Sequence, residues 1–141
     1  MANRPAAYEK LIFYRDICEI RRLVCRITDR FPKSHIRLVS QMRAAARSAK
    51  QNIREFYRRG SLGEFIQGIH ISQGSLAELS GDVDDCREDS LITAEEFREL
   101  SSLLRRADFM MGRFIHALYR LEKAGGWKTP GRRGDRLPAR R

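Results

Sequence analysis

Residues 94–123 read AEEFRELSSLLRRADFMMGRFIHALYRLEK, in which Phe97, Leu100, Leu104, Ala107, Met111, Phe114, Leu118 and Leu121 alternate spacings of three and four without a break. A turn of about 3.6 residues gathers such positions onto one stripe, so the segment reads as a long amphipathic helix with a seam for neighbouring helices. Just before it, Thr93 and Glu96 have the spacing of a capping box, in which the hydroxyl accepts from the third helical N–H and the acid reaches back to the cap's own amide. Gly125 and Gly126 then close the helix at its other end.

Three further segments upstream carry the same period. Helices are expected at about Tyr8 to Arg30, Ser34 to Arg59 and Leu62 to Glu88, with the fourth from Ala94 to Lys123. The first uses Leu11, Tyr14, Ile17, Val24 and Ile27; the second Val39, Met42, Ala46, Ala49, Ile53 and Phe56; the third Leu62, Phe65, Ile69, Leu76, Leu79, Val83 and Cys86. Pro32 stops the first helix, Gly60 follows the second, and Ser61 with Glu64 makes a second capping box. Long helices joined by short links predict an all-α, antiparallel, up-down-up-down four-helix bundle over residues 8–123. Residues 1–7 are left as an N-terminal arm. The first helix also carries Ile12, Phe13, Ile20 and Leu23, more apolar surface than one bundle-facing stripe requires, so a second subunit is expected against it.

The chain's 141 residues fit one domain, and 42% hydrophobic against 33% charged residues are enough for one core. No uncharged run approaches the roughly 18 residues of a membrane span, and the start MANRPAAYEK lacks the apolar centre of a signal peptide, so a cytoplasmic protein is expected. Three cysteines cannot all pair, and Cys18 and Cys25 are too far apart on one helix for a disulfide, so buried thiols are expected.

The net charge of +10 is unevenly spread: residues 33–60 carry +7, residues 61–99 carry −8, and residues 124–141 carry +5. That last stretch, AGGWKTPGRRGDRLPARR, has no helical period and reads as a flexible basic tail offering Lys128, Arg132 and Arg133.

Within the second helix, Arg43, Arg47, Lys50, Arg54 and Arg58 are spaced four, three, four and four. At about 100° per residue they share an arc of roughly 80° and run for about 22 Å, a stripe able to follow several phosphates. Arg15, Arg22 and Arg26 form a shorter row on the first helix. The competing reading pairs the stripe with the acidic residues of 78–99, inside one subunit or across an assembly. The acidic run from Asp82 to Asp89 fails the calcium-loop template, with Arg87 where Gly and Thr93 where Glu are required, and reads as a solvated helix end. His35, His70 and His116 have no metal-ligand spacing, and no nucleophile–base pair is recognisable, so neither metal, cofactor nor catalysis is expected. Gly60, Gly63, Gly68 and Gly74 form no phosphate loop and are expected to allow close packing. Gln41, Asn52 and Gln73 lie beside the packing faces, where interhelical hydrogen bonds are expected in preference to base contacts. Trp127 reads as a plug for the bundle's end ahead of a base-stacking ring.

The stretches YEKLIFYRDI, RITDRFPK, SQMRAAARSAKQNI, RRGS, EFIQ, GSLAEL and LITAEEFREL together resemble the bacterial four-helix-bundle proteins named after ribosomal RNA intervening sequences, over about residues 8–122. The resemblance implies assembly as a homopentameric ring and kinship with the accessory variability proteins of diversity-generating retroelements. It further implies a basic ring that binds nucleic acid, RNA or DNA, and a reverse transcriptase as partner. Asn52-Ile53 continues here with Arg54-Glu55-Phe56, where the family usually has a small residue, Glu and Gly. Two functions follow: a non-enzymatic bundle binding nucleic-acid backbone, or a structural oligomer whose charges serve self-assembly or a protein partner.

Overall fold

A computed structural model describes residues 7–126. A 3₁₀ turn at Ala7–Lys10 leads into α1 (Ile12–Thr28), and a second at Lys33–His35 leads into α2 (Ile36–Arg58); α3 (Leu62–Glu88) and α4 (Ala94–Lys123) follow. Each helix packs on its neighbours in chain order, and α4 closes back on α1. Cross-links between early and late residues make each neighbouring pair antiparallel: Thr28 meets Arg43, Gln41 meets Asp82, Phe65 faces Phe114, and Asp16 meets Arg106. The expected up-down-up-down bundle is the observed fold.

Local chemistry explains the helix starts. The Thr93 hydroxyl accepts from the Glu96 amide at 3.1 Å while the Glu96 carboxylate accepts from the Thr93 amide at 2.9 Å. At α3 the Ser61 hydroxyl accepts from the Glu64 amide at 3.1 Å, but the Glu64 carboxylate takes the Ser61 hydroxyl and not the Ser61 amide, so only half of the expected capping box forms. Gly60 has φ 93° and Gly125 φ 67°, left-handed values that a side chain resists and that end α2 and α4.

The start of α1 differs from expectation. Leu11 is extended, with φ −70° and ψ 137°, and separates the Ala7–Lys10 turn from the helix proper. The cause is non-local: Tyr8 is buried edge-on between Tyr14 and Tyr57, with ring centroids 5.1 and 5.0 Å away. Holding Tyr8 across the end of the bundle requires a bend that a continuous helix would not make. At its other end α1 stops at Thr28, whose hydroxyl bonds back to the Val24 carbonyl at 2.6 Å. Similarly α2 begins at Ile36, two residues later than expected.

The core runs the length of the bundle, with Ile17, Met42, Ile53, Phe65, Ile69, Leu79, Leu100, Met111 and Leu118 essentially sealed from solvent. Each such side chain contributes about 1.5–3 kcal/mol of burial. Phe13, Ile20 and Leu23 belong to this same core, and the Phe13 ring lies 5.4 Å from that of Phe114. Three of the four extra apolar residues on α1 are thus spent on the bundle itself, Phe13 against α4, while Ile12 stays half-buried outside this core. Of the glycines expected to permit close packing, Gly68 does: a Cβ there would stand 2.4 Å from that of Phe56. Gly74 has open space around it and Gly63 nothing nearer than 3.9 Å, while Gly60 serves the turn. Cys86 is buried, its thiol donating to Met42 Sδ at 3.6 Å, and burial pushes its pKa up to about 11, with Asp82, Asp85 and Asp89 adding to the effect. Cys18 and Cys25 are only half-buried, against the expectation of buried thiols; Cys18 packs against the edge of the core. No helix among the described residues is long and apolar enough to cross a membrane. Residues 1–6 of the arm and residues 127–141 of the tail lie outside the described residues.

Candidate nucleic-acid interface

The α2 stripe is built by the helix itself. Met42, Ala46, Ala49 and Ile53 are buried, and the flank of α2 beside them, with Arg47, Arg54 and Arg58, faces solvent. Lys50 is half-buried. None of these four cations makes an ion pair among the described residues. At the α1 end, Arg54 and Arg58 stand close enough to the Tyr8 hydroxyl to favour its ionised form, opposing the burial and the Glu9 charge that push its pKa up.

Arg43 behaves differently. Its Nε donates to Thr28 Oγ1 at 3.1 Å and its Nη2 to the Cys25 carbonyl at 3.2 Å, with Asp29 Oδ1 at 3.8 Å. A guanidinium at the last turn of α1 adds a donor to a carbonyl there and complements the helix dipole. The part of the stripe that makes no ion pair among the described residues thus begins at Arg47, with Arg54 hydrogen-bonded to Tyr8. Arg59, one residue past Arg58, is likewise engaged: it pairs with Glu55 at 2.8 Å, approaches Glu64 at 3.7 Å and lies over the Phe56 ring.

On α1, Arg15, Arg22 and Arg26 are exposed, facing away from Ile17 and Val24. They lie about a quarter-turn outward of Cys25 at the α1–α2 seam, so the short row and the α2 stripe share one outer surface. Arg22 pairs with Glu19 at 2.8 Å, whereas Arg15 and Arg26 have no ion pair among the described residues. Lys128, Arg132, Arg133 and Trp127 lie outside the described residues.

The acidic residues occupy the far side. Glu78, Asp84, Asp85, Glu88 and Asp89 on α3 and its exit are exposed and make no ion pair among the described residues, so no pairing of the stripe with them inside one subunit is seen. Asp82 is nearly buried and takes both Gln41 Nε2 contacts at 3.0 Å; burial raises its pKa, the Gln41 hydrogen bond opposes, and Asp85 and Glu78 raise it further. Gln41 and Gln73, which reaches Asp108 at 3.4 Å, thus bridge helices as expected, but Asn52 instead donates back to Ser48 within α2. Among the described residues no three His, Cys, Asp or Glu side chains gather as metal ligands would.

Two tie points escaped the reading of the sequence. Asp16, in the buried arc of α1, takes a two-pronged contact from Arg106 of α4 at 2.6 and 2.7 Å. Arg30 grips Glu96 through both guanidinium nitrogens and holds its carboxyl down at about 2, with the Thr93 backbone hydrogen bond acting in the same direction. An acid set among Phe13, Ile17 and Ile20 was the signal for the first; the second, 66 residues apart in sequence, left none.

Compared with models of protein families, residues 9–113 match that of the 23S rRNA-intervening sequence protein. No curated protein matches the chain.

Proposed function

The chain belongs to the 23S rRNA-intervening sequence protein family, and from that premise we propose that it is a non-catalytic protein of the cytoplasm that holds RNA or DNA by the phosphate backbone. Arg47, Lys50, Arg54 and Arg58 are the principal contacts, and Arg15 and Arg26 widen the surface. The observation that carries this reading is the row itself, cations lacking an ion pair among the described residues along one flank of a rigid helix. From Arg47 to Arg58 it spans about 16 Å, and such a row binds phosphates chiefly by releasing their counterions. RNA is the first candidate because of the family's description. The resemblance to accessory variability proteins adds a homopentameric ring and a reverse transcriptase as the protein partner.

A second reading is favoured by the charge segregation: Glu78, Asp84, Asp85, Glu88 and Asp89 also make no ion pair among the described residues, so the stripe of one copy could meet the acids of another. Titrating mixed-sequence RNA at rising salt separates the two. Four phosphate contacts give a slope of log K against log salt of about −3, whereas an assembly stripe gives no RNA binding and an oligomer that dissociates as salt rises. Sedimentation at low salt measures the number of copies.

A further inference from the structure

The solvent face of α4 carries a second set of features that the α2 stripe does not account for. Phe109 is 61% exposed at the middle of this helix. At about 100° per residue, Arg105, Arg113, His116 and Arg120 fall on the same outward face, and all are exposed. The Arg113 guanidinium lies 5.6 Å from the centre of the Phe109 ring. Arg105, Arg113 and Arg120 make no ion pair among the described residues, while Arg106 is turned aside to Asp16. Cations thus bracket a bare aromatic ring over about 22 Å of helix.

We infer that this face is a second nucleic-acid contact that takes a single strand, with Phe109 stacking on a base and Arg105, Arg113 and Arg120 holding its phosphates. The inference rests on the reading that the chain binds nucleic acid. Charge selects the polyanion, and the ring selects its form. A phenyl group on a convex helix stacks on a base only where that base is unstacked, which excludes the interior of a duplex. Arg113 beside the ring supports it by cation–π attraction and offers its own plane to an adjacent base. No aliphatic side chain accompanies Phe109 among these outward residues, which sets the face apart from an apolar docking surface.

The test compares a short oligothymidylate with an abasic strand of equal phosphate number, each binding the full chain at fixed salt. Wild type should bind the oligothymidylate about tenfold more tightly. Phe109→Ala should bind both strands equally, with abasic affinity and oligomeric state unchanged. Equal wild-type affinities for the two strands, or a Phe109→Ala variant that keeps the preference, would overturn the inference while leaving backbone binding through α2 intact. Binding of neither strand by wild type would remove both readings together. A change in sedimentation on Phe109→Ala would give the ring to contact between copies and would also overturn it.

Discussion

Arg43 donates from Nη2 to the carbonyl oxygen of Cys25 at 3.2 Å, so the first cation of the α2 row is tied to the last turn of α1. With the Thr28 hydroxyl also held, this side chain joins two helices, while Arg47, one turn on, makes no ion pair among the described residues. The row is therefore two things: a structural clasp at one end and a charged surface along the rest.

That division predicts unlike mutants. Arg43→Ala should cost about 1–2 kcal/mol through the lost hydrogen bonds, while Arg47→Ala stays within about 0.5 kcal/mol of wild type. Urea unfolding of the two variants measures the difference. Equal midpoints would mean that the clasp does not form in solution.

Leu104 and Met111 lie in the seam of α4, with 4% and 0% of their surface exposed. Truncating either to Ala should cost about 2–5 kcal/mol, a large part of a small domain's stability. Thermal melts like that of the parent would displace the seam and with it the register of α4.

Gly68 gives the sharpest steric test. Ala there places a Cβ 2.4 Å from that of Phe56 and 3.0 Å from the Asn52 carbonyl oxygen, so α2 and α3 must separate. Overpacking of this kind costs about 1–3 kcal/mol, against about 1 kcal/mol recovered from helix propensity. The net expectation is destabilisation, read by denaturation, whereas Gly74→Ala, with open space around it, should stabilise.

The pair Arg30–Glu96 sets an acid response. Glu96 is held at about 2, below its ordinary 4.5, so its contribution is complete above about pH 4.5 and is lost as pH falls toward about 2. Glu96→Gln keeps the cap but lacks the charge; it should be less stable than wild type at pH 7, and the gap should close across that window. Melting temperatures at pH 7, 4 and 2 check the sign.

These contrasts show what one sequence discloses. The bounds of α3 and α4 were legible because the chemistry that sets them is local: Ser61 and Glu64, or Thr93 and Glu96, lie three residues apart. The start of α1 was not, since Leu11 bends in order to place Tyr8 against Tyr57, 49 positions away. Periodicity told which arc of α1 is apolar but not how many helices would cover it, so Phe13 and Leu23 looked like surplus when they face α4 and the core. The basic stripe was legible as an arc. The neighbour that claims Arg43 was not, because a helical wheel carries no information about the end of another helix.

The most direct test of the account is the affinity of an Arg47→Glu, Lys50→Glu, Arg54→Glu triple variant for mixed-sequence RNA, measured together with its sedimentation. Near-complete loss of binding is expected, since each lost contact becomes a repulsion, with helical content and oligomeric state unchanged. A variant that binds RNA normally but falls apart as an oligomer would contradict it and assign the stripe to assembly.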